Sequence, residues 1–156
     1  MVRYIHYGDT YFDQTKIKPI KNRVRDSKPT GGLWACRVDS KYGWKDLVRD
    51  EWLLNSYYKI PKCSEDNAFI FTLSANAKVF EIDMVECLKG VPLIKEPNPE
   101  NHLDWVGLDF ESLMQSGYDA IELFLDPEVD WHLPHVMLGW DVSSLLVLNS
   151  AVVVPE

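Results

Sequence analysis

Cysteine is scarce in this chain, and its spacing holds no metal. Cys36, Cys63 and Cys87 are the three thiols, far apart in sequence, and an odd number gives no disulfide framework. A reducing compartment is the expectation. No apolar run is long enough for a membrane span, and the first residues carry no signal-peptide core. A cytoplasmic protein with no membrane partner is therefore expected. The GxGxxG and P-loop phosphate fingerprints are missing, and so is the GxSxG elbow of serine hydrolases. A net charge of -8 leaves no global basic footprint for nucleic acid. The local exception is a basic stretch of Lys16, Lys18, Lys21, Arg23, Arg25 and Lys28, which reads as a solvated loop or as a place to meet phosphates.

Metal and thiol chemistry find little support. His132 and His135 flank Leu133-Pro134, and Pro134 opposes the regular helix that an HExxH site requires. No third ligand accompanies them, so no zinc site is expected. His102 lies in a polar loop without a partner in sequence. Cys36 follows a glycine turn, but nothing near it in sequence supplies an activating base.

What the chain does have is a normal core. Its 156 residues are 46% apolar, enough for one domain over residues 1–156. Strands are expected at Arg3 to Tyr7, Leu33 to Val38, Phe69 to Leu73, Lys78 to Ile82, Tyr118 to Leu123, Ser143 to Leu148 and Ala151 to Val154. A helix is expected from about Tyr42 to Leu54, where Trp44, Leu47, Val48 and Trp52 recur on one face. Asp83 is expected to cap a short helix ending at Gly90, and Asp109 another ending at Gly117. Tyr57 to Asn67, broken by Pro61, reads as loop, and Pro92, Pro97 and Pro99 read as an irregular connection. The order is strand-rich with short helices between, which indicates an α+β fold.

Three stretches could carry chemistry. In Lys28-Pro29-Thr30-Gly31-Gly32-Leu33-Trp34-Ala35-Cys36, proline and paired glycines build a tight turn before a strand. Glycine lets a ligand lie against bare backbone, and the indole that follows offers a stacking face. In Tyr4-Ile5-His6-Tyr7-Gly8, one histidine stands beside another glycine and could hydrogen-bond a ribose or phosphate. In Gly117-Tyr118-Asp119-Ala120-Ile121-Glu122 and Gly139-Trp140-Asp141, carboxylates stand in or before strands. There they could stabilise positive charge developing on a sugar ring.

Taken in order, these stretches resemble the ADP-ribosyltransferase family, whose pattern is an Arg or His on an early strand, a Gly-aromatic-small-residue strand, and an acid at a late strand. The resemblance implies split mixed and antiparallel sheets with short helices. It implies NAD as the substrate, with His6, Tyr7, Gly8, Gly31, Gly32, Leu33 and Trp34 around the dinucleotide. His6 would bind the nicotinamide-side ribose, and Trp34 would flank the nicotinamide. Asp141 would be the catalytic acid, with Glu122 as the alternative. Trp34 replaces the tyrosine of the histidine-type branch and lacks its hydroxyl. Asp141 is one methylene shorter than glutamate, a shift of roughly 1 Å that can cost about 100-fold in rate. The implied activity is a mono-ADP-ribosyltransferase, effector-like in character, acting on a protein acceptor before a nucleic-acid one. If water attacks instead, it is an NAD glycohydrolase. The rival class is a protein-interaction module on the same fold that has lost turnover. RNA 2′-phosphotransferase chemistry would need more basic residues around the pocket.

Overall fold

The computed structural model describes residues 1–23, 26–50, 64–82, 88–98, 100, 104–125, 140 and 142–156, with backbone alone at 48–50. Several sequence expectations lie outside these residues: Arg25, the helix beyond Asp50, Pro61, the Asp83 cap, Cys63, Cys87, Pro99, His102, His132, His135 and Asp141. The described part is mostly β with two short helices. Its strands are β1 (Arg3–Tyr7), β2 (Leu33–Arg37), β3 (Ala68–Leu73), β4 (Val79–Ile82), β5 (Leu93–Pro97), β6 (Asp104–Leu108), β7 (Ala120–Leu123), β8 (Ser144–Val147) and β9 (Val153–Pro155). The helices are α1 (Trp44–Asp50) and α2 (Phe110–Gln115).

Seven strands form one mixed sheet in the order β4-β7-β8-β2-β1-β3-β9, and β5 pairs with β6 as a separate two-stranded sheet. Only β4 and β7 run parallel; the other neighbours are antiparallel. Side chains alternate between faces, so each face of the sheet acquires its own core. Tyr4, Ala35, Phe71, Ala120, Leu145 and Val147 fill one. Ile82, Ile121, Leu123, Trp140 and Leu146, with Phe110 and Leu113 of α2, fill the other. This explains the unbroken apolar run at β8: Leu145, Leu146 and Val147 are all fully buried because both faces are covered.

The region around Pro92 to Pro97 is a correction to the sequence reading. Instead of an irregular connection it holds β5, registered on β6 from Leu93↔Leu108 to Pro97↔Asp104. Residues along β5 alternate between exposed and half-buried. The strand is too polar to read as buried, and Pro97 sits at its end, where a missing N–H is harmless. The cap of α2 is as expected: the Asp109 carboxylate accepts from the Ser112 N–H at 3.0 Å. Gly117 follows the helix in the left-handed region at φ +86°.

The described residues of the basic stretch before β2 are held in an arch. Lys21 and Thr30 exchange backbone hydrogen bonds of 3.0 and 2.9 Å, and the Gly32 N–H donates to the Lys18 carbonyl at 2.9 Å. Asn22 pins the arch to the start of α2. Its amide donates to Asp109 at 2.7 Å and accepts from the Phe110 N–H at 2.9 Å. Gly31 and Gly32 are required by this close passage. A Cβ on Gly31 would collide with the Pro19 carbonyl and lie 2.6 Å from the Lys18 carbonyl, at a φ of +82°.

Gly31→Ala therefore combines left-handed strain of about 1–2 kcal/mol with overpacking of about 1–3 kcal/mol. Gly90 has φ +84° and, among the described residues, nothing within 4 Å of where a Cβ would sit, so Gly90→Ala should show the strain alone. Urea unfolding of the two variants is expected to differ by the overpacking cost, with Gly31→Ala the less stable.

Candidate functional site

The centre of the sheet brings the three sequence stretches onto adjacent strands, because β1, β2 and β8 are neighbours. β1 and β2 are registered at Tyr4↔Arg37 and Ile5↔Cys36, with the Val38 N–H donating to the Arg3 carbonyl at 3.0 Å. Beyond Ile5 they part. His6 and Tyr7 pair with Phe69 and Ala68 of β3, while Leu33, Trp34 and Ala35 pair with β8. The sheet is thus opened along one line, with His6 on one bank and Trp34 on the other.

One bond crosses the opening: His6 Nδ1 lies 2.6 Å from the Trp34 carbonyl. A carbonyl only accepts, so Nδ1 must carry the proton. The imidazole takes the place of the backbone N–H that a continuous ladder would have supplied. The tautomer leaves Nε2 as the free ring atom. Nε2 faces Gly8, where a Cβ would sit 3.7 Å away, and lies 3.9 Å from Asp9 Oδ2. The Phe69 ring, 5.1 Å away, supports the other side of the imidazole. His6, Gly8 and the Trp34 backbone therefore come together around a bare stretch of chain.

The Trp34 indole does not join them. Strand alternation turns it to the opposite face, where it meets the edge of Trp140 at 4.8 Å. Trp140 is fully buried, lies parallel to Phe110 at 6.4 Å, and donates from Nε1 to the Ser27 carbonyl at 3.1 Å. Lys28 Nζ stands over the Trp34 ring at 5.6 Å and over the Trp44 ring at 5.1 Å. Asp141 lies outside the described residues, but both its neighbours, Trp140 and Val142, are fully buried. Of the other residues expected at the site, Leu33 belongs to the core and Tyr7 is half-buried on β1. The space beside Gly31 and Gly32 is taken by the chain itself: the Lys18–Pro19 carbonyls, Ile20, Leu146 and the Val147 carbonyl.

Glu122 occupies a second location. Glu122 shares a face of the sheet with His6 but stands on β7, three strands from β1 in the sheet order. Both carboxylate oxygens are engaged. Arg37 donates to them from Nε at 2.6 Å and from a terminal nitrogen at 2.9 Å, and the Tyr4 hydroxyl donates at 3.1 Å. Glu122 is buried, and Arg37 is stacked over the Phe124 ring at 4.5 Å. A cleft of about 370 Å³ opens beside the cluster, lined by Arg37, Asp39, Lys41, Glu122, Phe124 and Ser144. Glu122 here anchors Arg37, and its hydrogen bonds hold the guanidinium firmly protonated. Sequence spacing gives no warning of this pair, since the partners are 85 residues apart.

Other singled-out residues have structural roles. Asp119 accepts from the Lys78 N–H at 2.9 Å and from the Asn149 amide at 2.8 Å, clamping β4, β7 and the end of β8 together. Cys36 is buried, and that burial pushes its thiol up despite the nearby Trp44 N–H. In the basic arch, Lys16 faces Asp9 at 3.5 Å and Arg23 faces Asp26 at 2.8 Å. Among the described residues, no three metal-ligating side chains gather, and no helix is long and apolar enough to cross a membrane.

Burial and the adjacent Glu122 push the Tyr4 phenol well above its usual range. A neutral phenol favoured in the folded state stabilises below the unfolded value of about 10 and loses that stabilisation as pH rises past it. Tyr4→Phe should lose about 1 kcal/mol at pH 7, the worth of one hydrogen bond. Its stability should fall less steeply than the parent's above pH ~10; chemical denaturation across pH checks both signs.

Comparisons with protein families, with curated proteins and with solved structures find no match to this chain.

Proposed function

We propose that this chain is an NAD-dependent mono-ADP-ribosyltransferase on a split-sheet fold, passing ADP-ribose to a macromolecular acceptor, protein before nucleic acid. The observation that carries the reading is the parting of β1 and β2 at His6, where Nε2 faces bare backbone at Gly8. Neutral Nε2 accepts from a ribose hydroxyl; protonated, it donates to a phosphate oxygen. A sugar can approach because no Cβ stands at Gly8. Support also comes from adjacency: the strands that carry His6 and Trp34, and the one that follows Asp141, are consecutive in the sheet.

In this reading Asp141, one residue from the Trp140 anchor, supplies the carboxylate that stabilises the cationic sugar as the C1′–nitrogen bond breaks. The bonding pair leaves with nicotinamide. An acceptor nucleophile then bonds to C1′ and gives up its proton. Water in that place makes the protein an NAD glycohydrolase. Glu122 has its charge neutralised by Arg37 and serves the fold in this scheme.

A second reading, a non-catalytic interaction module, is favoured by one observation: Gly31 is covered by Lys18 and Pro19, and Gly32 by Ile20, Leu146 and Val147. The two readings predict different responses to NAD. An enzyme should release nicotinamide, and Asp141→Asn should slow release by about 100-fold or more. NAD at about 100 times its Kd should add about 2.7 kcal/mol of stability, several degrees in Tm. Neither release nor a Tm rise would leave the interaction module. Release undiminished in both His6→Ala and Asp141→Ala would remove the site assignment.

A further inference from the structure

We infer that the cleft beside the Arg37–Glu122 pair is a binding site for a small zwitterion of the α-amino-acid type, with its carboxylate on Arg37 and its ammonium at Asp39. This site lies at the ends of β2 and β7 and stands apart from His6 and from NAD chemistry. A guanidinium carries five N–H donors in a rigid fork. Glu122 takes the edge made of Nε and Nη2, at 2.6 and 2.9 Å. The Tyr4 hydroxyl stands near the guanidinium but gives its proton to Glu122. The opposite edge, Nη1 with the second N–H of Nη2, makes no hydrogen bond among the described residues. The Glu122 side chain is 4% exposed and that of Arg37 31%, so the edge turned away from Glu122 is the one that meets the cleft. The Phe124 ring, 4.5 Å from the guanidinium carbon, holds its plane.

The rest of the lining offers acceptors. Ser40 Oγ donates to the Tyr42 carbonyl at 3.3 Å, Ser143 Oγ to the Leu125 carbonyl at 3.1 Å, and Ser144 Oγ to the Val142 carbonyl at 2.9 Å. Each hydroxyl has committed its one proton, so what it still presents is a lone pair. Asp39 lines the cleft, is exposed, and has a carboxylate without a partner among the described residues. Lys41, the other cation of the lining, is itself engaged.

An occupant that satisfies this lining brings an anion to one place and a charged donor to another. A planar carboxylate meets the free edge of the fork with two parallel bonds. An ammonium matches Asp39 and the hydroxyl lone pairs. The formal charges of the lining cancel, Arg37 and Lys41 against Asp39 and Glu122. A molecule of no net charge therefore suits it, whereas a phosphate dianion would face two carboxylates. The volume, about 370 Å³, is at the small end for ligand pockets. Phe124 and Leu125 give it an apolar side for the substituent of the zwitterion.

Calorimetric titration with leucine tests the site, against leucinamide, which lacks the carboxylate, N-acetylleucine, which lacks the ammonium, and inorganic phosphate. Leucine should bind, and leucinamide should bind more weakly by roughly 10- to 100-fold, the loss of hydrogen bonds to a charged group. Arg37→Lys keeps a charge for Glu122 but loses the fork, and should weaken leucine by a similar factor. Asp39→Asn should weaken leucine by roughly 2- to 5-fold, the worth of an exposed ion pair, and leave N-acetylleucine unchanged. Asp39 holds no other described side chain, so this variant keeps the fold even if Arg37→Lys loses it. No binding of leucine, equal affinity for leucine and leucinamide, or leucine binding that Asp39→Asn leaves unchanged overturns the zwitterion site. Phosphate that binds more tightly than leucine overturns it in favour of a plain anion site.

Discussion

Strand β2 has to satisfy two neighbours that do not stay side by side. Its first half pairs with β8, and its second half pairs with β1. Each backbone polar group lost from a ladder must find another partner, and here the His6 imidazole supplies it to Trp34. One side chain therefore permits the sheet to open without an orphaned carbonyl. The same bond sets the tautomer of that side chain and directs its free nitrogen toward Gly8. Architecture and candidate chemistry come from a single contact.

The arch from Lys18 to Thr30 follows from the same geometry. It must cross the start of β2 at close range, and only glycine at 31 and 32 lets the backbones meet. Asn22 then ties the arch to α2, so α2, packed on one face of the sheet, also fixes where Lys28 stands. Trp140 completes this set by spanning Trp34, Phe110 and the Ser27 carbonyl. Three segments far apart in sequence become one aromatic layer.

The far end of the sheet shows how buried charge is handled. Glu122 is taken out of water only because Arg37 and Tyr4 together satisfy both its oxygens. Asp119 is likewise consumed by backbone and amide donors that lock strand ends. Both carboxylates are thus committed to holding the sheet.

Local pattern alone determined most strand positions. The period and β-branching of Arg3 to Tyr7, Leu33 onward, Phe69 to Leu73 and the leucine-rich β8 mark strands whatever their neighbours, and Asp109 marks a cap through bonds within four residues. The β5–β6 pair was not legible, because a half-exposed strand without apolar alternation is defined by its partner. Sequence singled out His6, Gly8 and Trp34, but not how they face. Which side of the sheet an indole takes, which carboxylate an arginine 85 residues away neutralises, and whether a glycine faces a ligand or the chain's own carbonyl are decided by long-range pairing. Local propensity extends over a few residues, whereas register, strand order and close backbone passage exist only once the whole sheet has assembled.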